Sequence, residues 1–247
     1  MELDFLIKKE EKKLADFLGE QINLLKPDIS PEKLEKFLNY GFDLHFLPKI
    51  EVGRDKKFTN WSNYPKNNFF QLIQKKKLTP NAAQLFGQWI LIDGRLKPKK
   101  NYWWIARDDF VTIFSRKFLK INLQEHCRRI GHQQYENDFL LSILKANGFH
   151  SRFSITWQEI NEIIKPAVAK FLDLEKEKIR LPRFIEWNFL ANLFYLEWGK
   201  TSTWEWFNDR FQNGECLTGG SNDLSILGWD PPDFWSTQLG FRFLIEI

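Results

Sequence analysis

Along the first third of the chain, apolar residues recur every three or four positions. Leu3, Leu6, Ile7, Leu14, Phe17, Leu18, Ile22 and Leu25 fall at helical spacing with lysine and glutamate between them. That pattern predicts an amphipathic helix over 3–25, ended by Pro27. Ser30 followed by Pro31 marks a second helix start, a capping hydroxyl and then a proline at the first helical position. Leu34, Phe37 and Leu38 form its buried side, and Gly41 fits its C-terminal cap. Asp43 to Tyr64 is weakly periodic, broken by Pro48 and Gly53, and reads as loop with a short strand at most. Phe69, Leu72 and Ile73 predict a short helix before the basic run Lys75, Lys76, Lys77. Thr79-Pro80 then marks the junction between a helical N-terminal region, residues 1–80, and a main domain, residues 81–247.

Beyond that junction strand patterns appear. Gln88 to Asp93, closed by Gly94, is a strand candidate, and Tyr102 to Ile105 is a second. Tyr135 to Asn147 predicts a helix with Phe139, Leu140, Ile143 and Leu144 inward and Gly148 as terminator. Thr156-Trp157-Gln158-Glu159 is a capping box that opens a helix carrying Ile160, Ile163 and Ile164; Pro166 must kink or restart it. Arg180-Leu181-Pro182 leads into a further helix from about Phe184 to Leu196, with Trp187, Leu190, Leu193 and Phe194. From Ser221 to Gln238 neither period survives, and Gly, Pro, Asn, Asp and Ser are dense, yet Trp229, Phe234 and Trp235 stand there too. The closing run Leu239, Phe241, Phe243, Leu244, Ile245 reads as a terminal strand that holds this loop against a core. Helices and strands in this order define an α+β class, with an ordered aromatic loop as the place where binding is expected.

Composition narrows the chemistry. The chain has 247 residues, 16% of them aromatic, including 11 Trp and 24 Phe. A net charge of +4 does not by itself indicate a nucleic-acid partner. Two cysteines, Cys127 and Cys216, make no disulfide framework. The N-terminus lacks a signal-peptide pattern, and no apolar run reaches the roughly 20 residues of a membrane span, so a cytoplasmic setting is the default expectation. Arg95, Lys97, Lys99, Lys100, Arg107, Arg116, Lys117, Lys120, Arg128 and Arg129 surround Tyr102, Trp103 and Trp104. They read as a solvated face, or alternatively as a nucleic-acid surface. His126, Cys127 and His132 fall short of a zinc ligand set, with His45, His150 and Cys216 in unrelated contexts, so neither metal nor cofactor is expected. Glu205, Asp209, Asp223, Asp230 and Asp233 are close in sequence; turn formation and capping outweigh acid–base work in so Gly- and Pro-rich a stretch.

The succession of motifs after residue 155 resembles a known family. Ile155-Thr156-Trp157 opens a helix, Arg180-Leu181-Pro182 precedes Glu186-Trp187, and Thr203-Trp204-Glu205-Trp206 runs to Asn208-Asp209. Leu217-Thr218-Gly219-Gly220-Ser221 and a final Leu239-Gly240-Phe241-Arg242 complete the series. This order is similar to that of the formylglycine-generating-enzyme family, which implies a C-type-lectin-like fold over about the last 100 residues. The family's oxidases use a pair of active-site cysteines, and the matching part offers Cys216 alone. The chain therefore more nearly resembles the variable proteins of diversity-generating retroelements, non-catalytic relatives with a hypervariable region rewritten by adenine-directed reverse transcription. The resemblance implies a variable ligand-binding surface at 221–238, carried by Asn222, Leu224, Ser225, Ile226, Trp229, Phe234, Trp235, Ser236, Thr237 and Gln238. It implies a scaffold built on Trp204, Glu205, Trp206, Gly219, Gly220, Gly240, Phe241 and Arg242, and a protein or other macromolecule as partner. A formylglycine-generating oxidase and a basic nucleic-acid-binding module are the alternatives. Arg183 departs from the family, standing where a helix-capping Thr or Ser is usual.

Overall fold

The computed structural model describes residues 3–54, 58, 60–97, 135 and 137–247. The expected strand at Tyr102–Ile105, the His126-Cys127-His132 group and the basic residues from Lys99 to Arg129 lie outside the described residues. Two four-stranded sheets and six helices make up the described part, an α+β architecture.

Helix α1 spans Leu3–Leu18 and ends seven residues before the expected stop. Gly19, at φ +76°, donates to the Ala15 carbonyl and turns the chain; the apolar spacing beyond it continues in non-helical backbone, where Leu25 is exposed. Helix α2, Pro31–Asn39, follows the expectation: Ser30 Oγ accepts from the Lys33 amide, and Gly41 takes φ +81° just beyond the end.

The next segment is not loop. Phe42–Glu51 forms the ten-residue strand β1, paired antiparallel with β2, Gln84–Asp93. Polar Asp43, His45 and Lys49 hide the strand in the sequence, and Pro48 looks like a break. The register explains the tolerance, because the pairing skips Pro48, which has no N–H to give, and resumes at Lys49. The Thr79-Pro80 junction thus falls inside one sheet, and the first 80 residues are not purely helical. Helix α3, Asn67–Gln74, lies between the two strands in the chain.

Helix α4 is Leu140–Ala146, shorter than expected, capped by Asp138 Oδ1 on the Leu140 amide. Helix α5 opens as Trp157–Glu159 with both halves of the capping box formed. It then widens into a π segment, Ile160–Ile164, and continues as Lys165–Leu172. The Lys165 amide reaches back five residues to the Ile160 carbonyl, so the wider turn makes room for Pro166 without ending the helix. After β3, Ile179–Arg180, helix α6 runs Phe184–Leu193, and nine of its ten residues are buried. Apolar residues face every side of it, and its polar Glu186, Asn188 and Asn192 are buried with hydrogen-bond partners.

The C-terminal part forms β4 Trp204–Arg210, β5 Cys216–Gly219, β6 Leu227–Asp230, β7 Leu239–Gly240 and β8 Leu244–Glu246. One sheet has the order β1-β2-β8-β3, the other β6-β5-β4-β7, with β7 parallel to β4. The closing apolar run is therefore two strands in different sheets. Phe241, Arg242 and Phe243 carry the chain between them, which puts Arg242 in the space where the sheets meet. Among the described residues no helix is long and apolar enough to cross a membrane.

Candidate functional site

Glu205, on β4, is fully buried. Arg242 donates to it from Nη2 at 2.7 Å and from Nε at 2.9 Å, Trp187 Nε1 donates at 2.6 Å, and Tyr135 Oη at 2.6 Å. Burial alone would raise the Glu205 carboxyl; Arg242 and then Lys97 outweigh it and hold it below the ordinary glutamate range. The Arg242 guanidinium also lies 3.5 Å over the Trp198 ring and donates to the Asp93 carbonyl at 2.5 Å. Around this pair sit further closed charge contacts. Arg152 is held by Asp138, and its Nη1 lies 2.5 Å from Asp93 Oδ2. Glu186 accepts from Arg180 and Arg183. Burial would raise Glu186, but Arg180 and Arg183 hold it at about 2.

Lys97 departs from the expected solvated face. It is buried, its ammonium donating to the Thr203 and Gly220 carbonyls at 2.9 and 2.7 Å. Burial pushes it down to about 8. Arg95 is likewise engaged, by Asp93 and the Tyr40 carbonyl. Neither described member of the basic group is a free cation for a phosphate backbone.

Arg183 caps α6 without a hydroxyl. Its own amide donates to Glu186, while Asp209 Oδ2, reaching over from β4, accepts from the Phe184 amide at 2.6 Å. The missing Thr or Ser is thus replaced by an acceptor 25 residues away. Burial pushes Asp209 up to about 6.

The glycine turn that follows β5 fits only residues without side chains. A Cβ on Gly219 would meet the Ile226 carbonyl oxygen at 2.6 Å, and one on Gly220, at φ +86°, would meet the Trp187 ring at 2.6 Å. From there the loop is pinned by its backbone. Asn222 donates to the Thr201 carbonyl at 2.6 Å, Asp223 Oδ1 accepts the Ser225 amide and hydroxyl, and Lys66 pairs with Asp223 at 3.0 Å. At the far end the Pro232 carbonyl accepts from Gln158, the Ser236 carbonyl from Ser154, and the Gln238 carbonyl from Trp204 at 2.7 Å.

Within this pinned segment the ten expected surface residues divide. Trp229 is 46% exposed and Phe234 41%, and Asn222 is exposed. Ile226, Trp235, Ser236, Thr237 and Gln238 are half-buried. Leu224 and Ser225 are not surface residues: Leu224 is 2% exposed, seated against Gly199, where any Cβ would lie 2.7 Å from its Cγ. Its carbonyl accepts from Asn188 Nδ2 at 2.7 Å. The segment is also not wholly irregular, since β6 runs through its middle.

The five carboxylates do not form one site. Glu205 and Asp209 are buried in the frame, whereas Asp230 ends the edge strand β6 and Asp223 and Asp233 lie on the loops beside it. Cys216 is buried on β5, and burial pushes its thiol up to about 12. Among the described residues no three of His, Cys, Asp and Glu group as metal ligands. Sequence reasoning missed the roles of Arg152, Asp138 and Asp93, and the relay in which Tyr195 Oη donates to Asp43 Oδ2 at 2.6 Å and lies 2.7 Å from His45 Nε2. The available signal was a charge set among aromatics, as in Phe149-His150-Ser151-Arg152-Phe153. Compared with protein-family models, curated proteins and solved structures, the chain matches none.

Proposed function

We propose that this chain is a non-catalytic ligand-binding protein that presents a diversified surface at 221–238 on a C-type-lectin-like scaffold of the formylglycine-generating-enzyme type. The observation that supports this reading is the pairing of opposites in one segment. The backbone from Asn222 to Gln238 is tied to the frame at both ends, while Trp229 and Phe234 project into solvent. Large rigid rings held on a fixed backbone supply contact area at little entropic cost. A scaffold whose own stability resides in Glu205, Arg242 and the glycine turn leaves those tips free to be replaced.

Sequencing sibling copies of the coding locus tests the proposal. Differences should concentrate at codons of 221–238, arise at adenines of a template repeat, and accompany a neighbouring reverse transcriptase. Leu224 and Ser225, being frame residues by burial, should vary less than Trp229 and Phe234. Siblings that differ evenly along the chain would remove the diversification claim.

A further inference from the structure

The exposed tips carry a charge pattern that ligand binding in general does not require. From Phe211 through Phe241 the chain holds four carboxylates, Glu215, Asp223, Asp230 and Asp233, and no lysine, arginine or histidine. The whole chain has 36 basic against 32 acidic residues, so this stretch runs against the average. Asp223 is engaged by Lys66. Glu215, Asp230 and Asp233 form no ion pair among the described residues. The arginine at the end of β4, Arg210, is seated 5.0 Å over the Trp157 ring instead.

β6 arranges these groups along an edge with no further strand beyond it among the described residues. It is the outermost strand of its sheet. Trp229 lies opposite Leu217 on one face and packs against Phe211 at 5.6 Å between ring centres. Asp230 lies opposite Cys216 on the other face, accepting from Thr218 Oγ1 at 3.4 Å. The turn closed by the Phe234 amide on the Pro231 carbonyl then sets Asp233 and Phe234 in solvent. An edge that no described strand pairs with therefore has an exposed ring on one face, a carboxylate on the other, and a second ring and carboxylate at its end. A polyanion would meet no cation within this stretch.

Resting on the ligand-binding reading, we infer that in this copy of the chain the β6 face takes an extended, arginine-bearing segment of a partner protein. The guanidinium groups stack on Trp229 and Phe234 and pair with Asp230 and Asp233. Guanidinium is the cation that this set selects, being planar and weakly hydrated enough to lie on a ring and able to present a fork to a carboxylate. An extended segment adds to this edge through main-chain hydrogen bonds and sends alternate side chains to the two faces.

Calorimetric titration with hexa-arginine, hexa-lysine and hexa-glutamate peptides tests the inference. Hexa-arginine should bind, about tenfold tighter than hexa-lysine, and hexa-glutamate should not bind. Trp229→Ser, and separately Phe234→Ala, should shrink the preference for arginine over lysine. Asp230→Asn with Asp233→Asn should weaken both cationic peptides by about tenfold or more. Asp173→Asn with Glu175→Gln, exposed carboxylates beyond α5, should change nothing. Equal affinity for arginine and lysine, indifference to the Asp230 and Asp233 changes, or no binding of any cationic peptide overturns it. If siblings vary at 221–238 yet hexa-arginine does not bind, the partner assignment falls alone. If hexa-arginine binds as expected and siblings do not vary there, only diversification falls.

Discussion

The junction between the sheets and the β6 tip use the same residue types to opposite ends. Both are rich in tryptophan and carboxylate. At the junction, Glu205 is closed on by Arg242, Trp187 and Tyr135, and every one of these is buried. At the tip, Trp229 and Phe234 are each open over more than two fifths of their surface, and Asp230 and Asp233 lack an ion-pair partner among the described residues. The difference is one of mutual dependence. A junction residue cannot change without stranding a buried charge, whereas a tip residue changes its own contact with solvent and little else. On the proposed reading, stability and recognition are thereby separated between neighbouring parts of the C-terminal segment.

The largest test of that contrast is removal of the junction's cation. Arg242→Met leaves the Glu205 carboxylate buried with only neutral donors and Lys97 nearby, and exposes the Trp198 face that the guanidinium covers. Urea unfolding should show a loss of about 3–5 kcal/mol, partly recovered when Glu205→Gln is added. A loss under about 1 kcal/mol would mean that the junction is no more coupled than the tip.

A second, smaller effect sharpens the picture through pH. Asp209 caps α6 from β4, and its carboxyl is pushed up to about 6 by burial. A raised acid holds its proton more tightly in the folded state, so its contribution is fully present below the unfolded range near 3.8 and is lost as pH rises through about 6. Glu186 has the opposite sign: held at about 2, it contributes above 4.5 and loses that contribution as pH falls toward 2. Asp209→Asn keeps an acceptor for the Phe184 amide and removes the titration. Relative to the parent it should gain about 2 kcal/mol between pH 4 and pH 7. Thermal melts across that range check it, and a constant difference between the two proteins would place the titrating group elsewhere.

What the sequence revealed divides along the same line as the contrast itself. Local signals were legible. Ser30-Pro31 and Thr156 to Glu159 read as caps because hydroxyl, carboxylate and amide all lie within one helical turn. Of the expected Trp204-Glu205-Trp206 scaffold strand, Glu205 and Trp206 are buried and Trp204 is half-buried. Long-range pairing was not legible. β1 owes its existence to β2, forty residues on, and its own alternation is blurred by His45, which is buried because Glu10 and Tyr195 meet it. Arg242 meets the Asp93 carbonyl across 149 residues, a separation that no period encodes. Leu224, expected on the surface, is buried for a related reason. In a turn no period tells inward from outward, and its seat is made by Gly199, a residue of a different segment.

That buried leucine supplies the control for the smallest expected effect. Trp229→Ser and Phe234→Ser each remove a large ring, and by residue size alone either would seem more damaging than the loss of a leucine. The structure orders them the other way. Trp229 packs on Phe211 and stays 46% exposed, and Phe234 stays 41% exposed, so each removal should cost about 1–2 kcal/mol. Leu224→Ala opens a cavity against Gly199 inside the cluster that also holds Trp187 and Trp198, at about 2–4 kcal/mol. Chemical denaturation of the three variants, with the transition slope checked for each, decides it. If Trp229→Ser destabilises as much as Leu224→Ala, the ring is part of the frame, and a surface that must keep it cannot be a freely replaceable one.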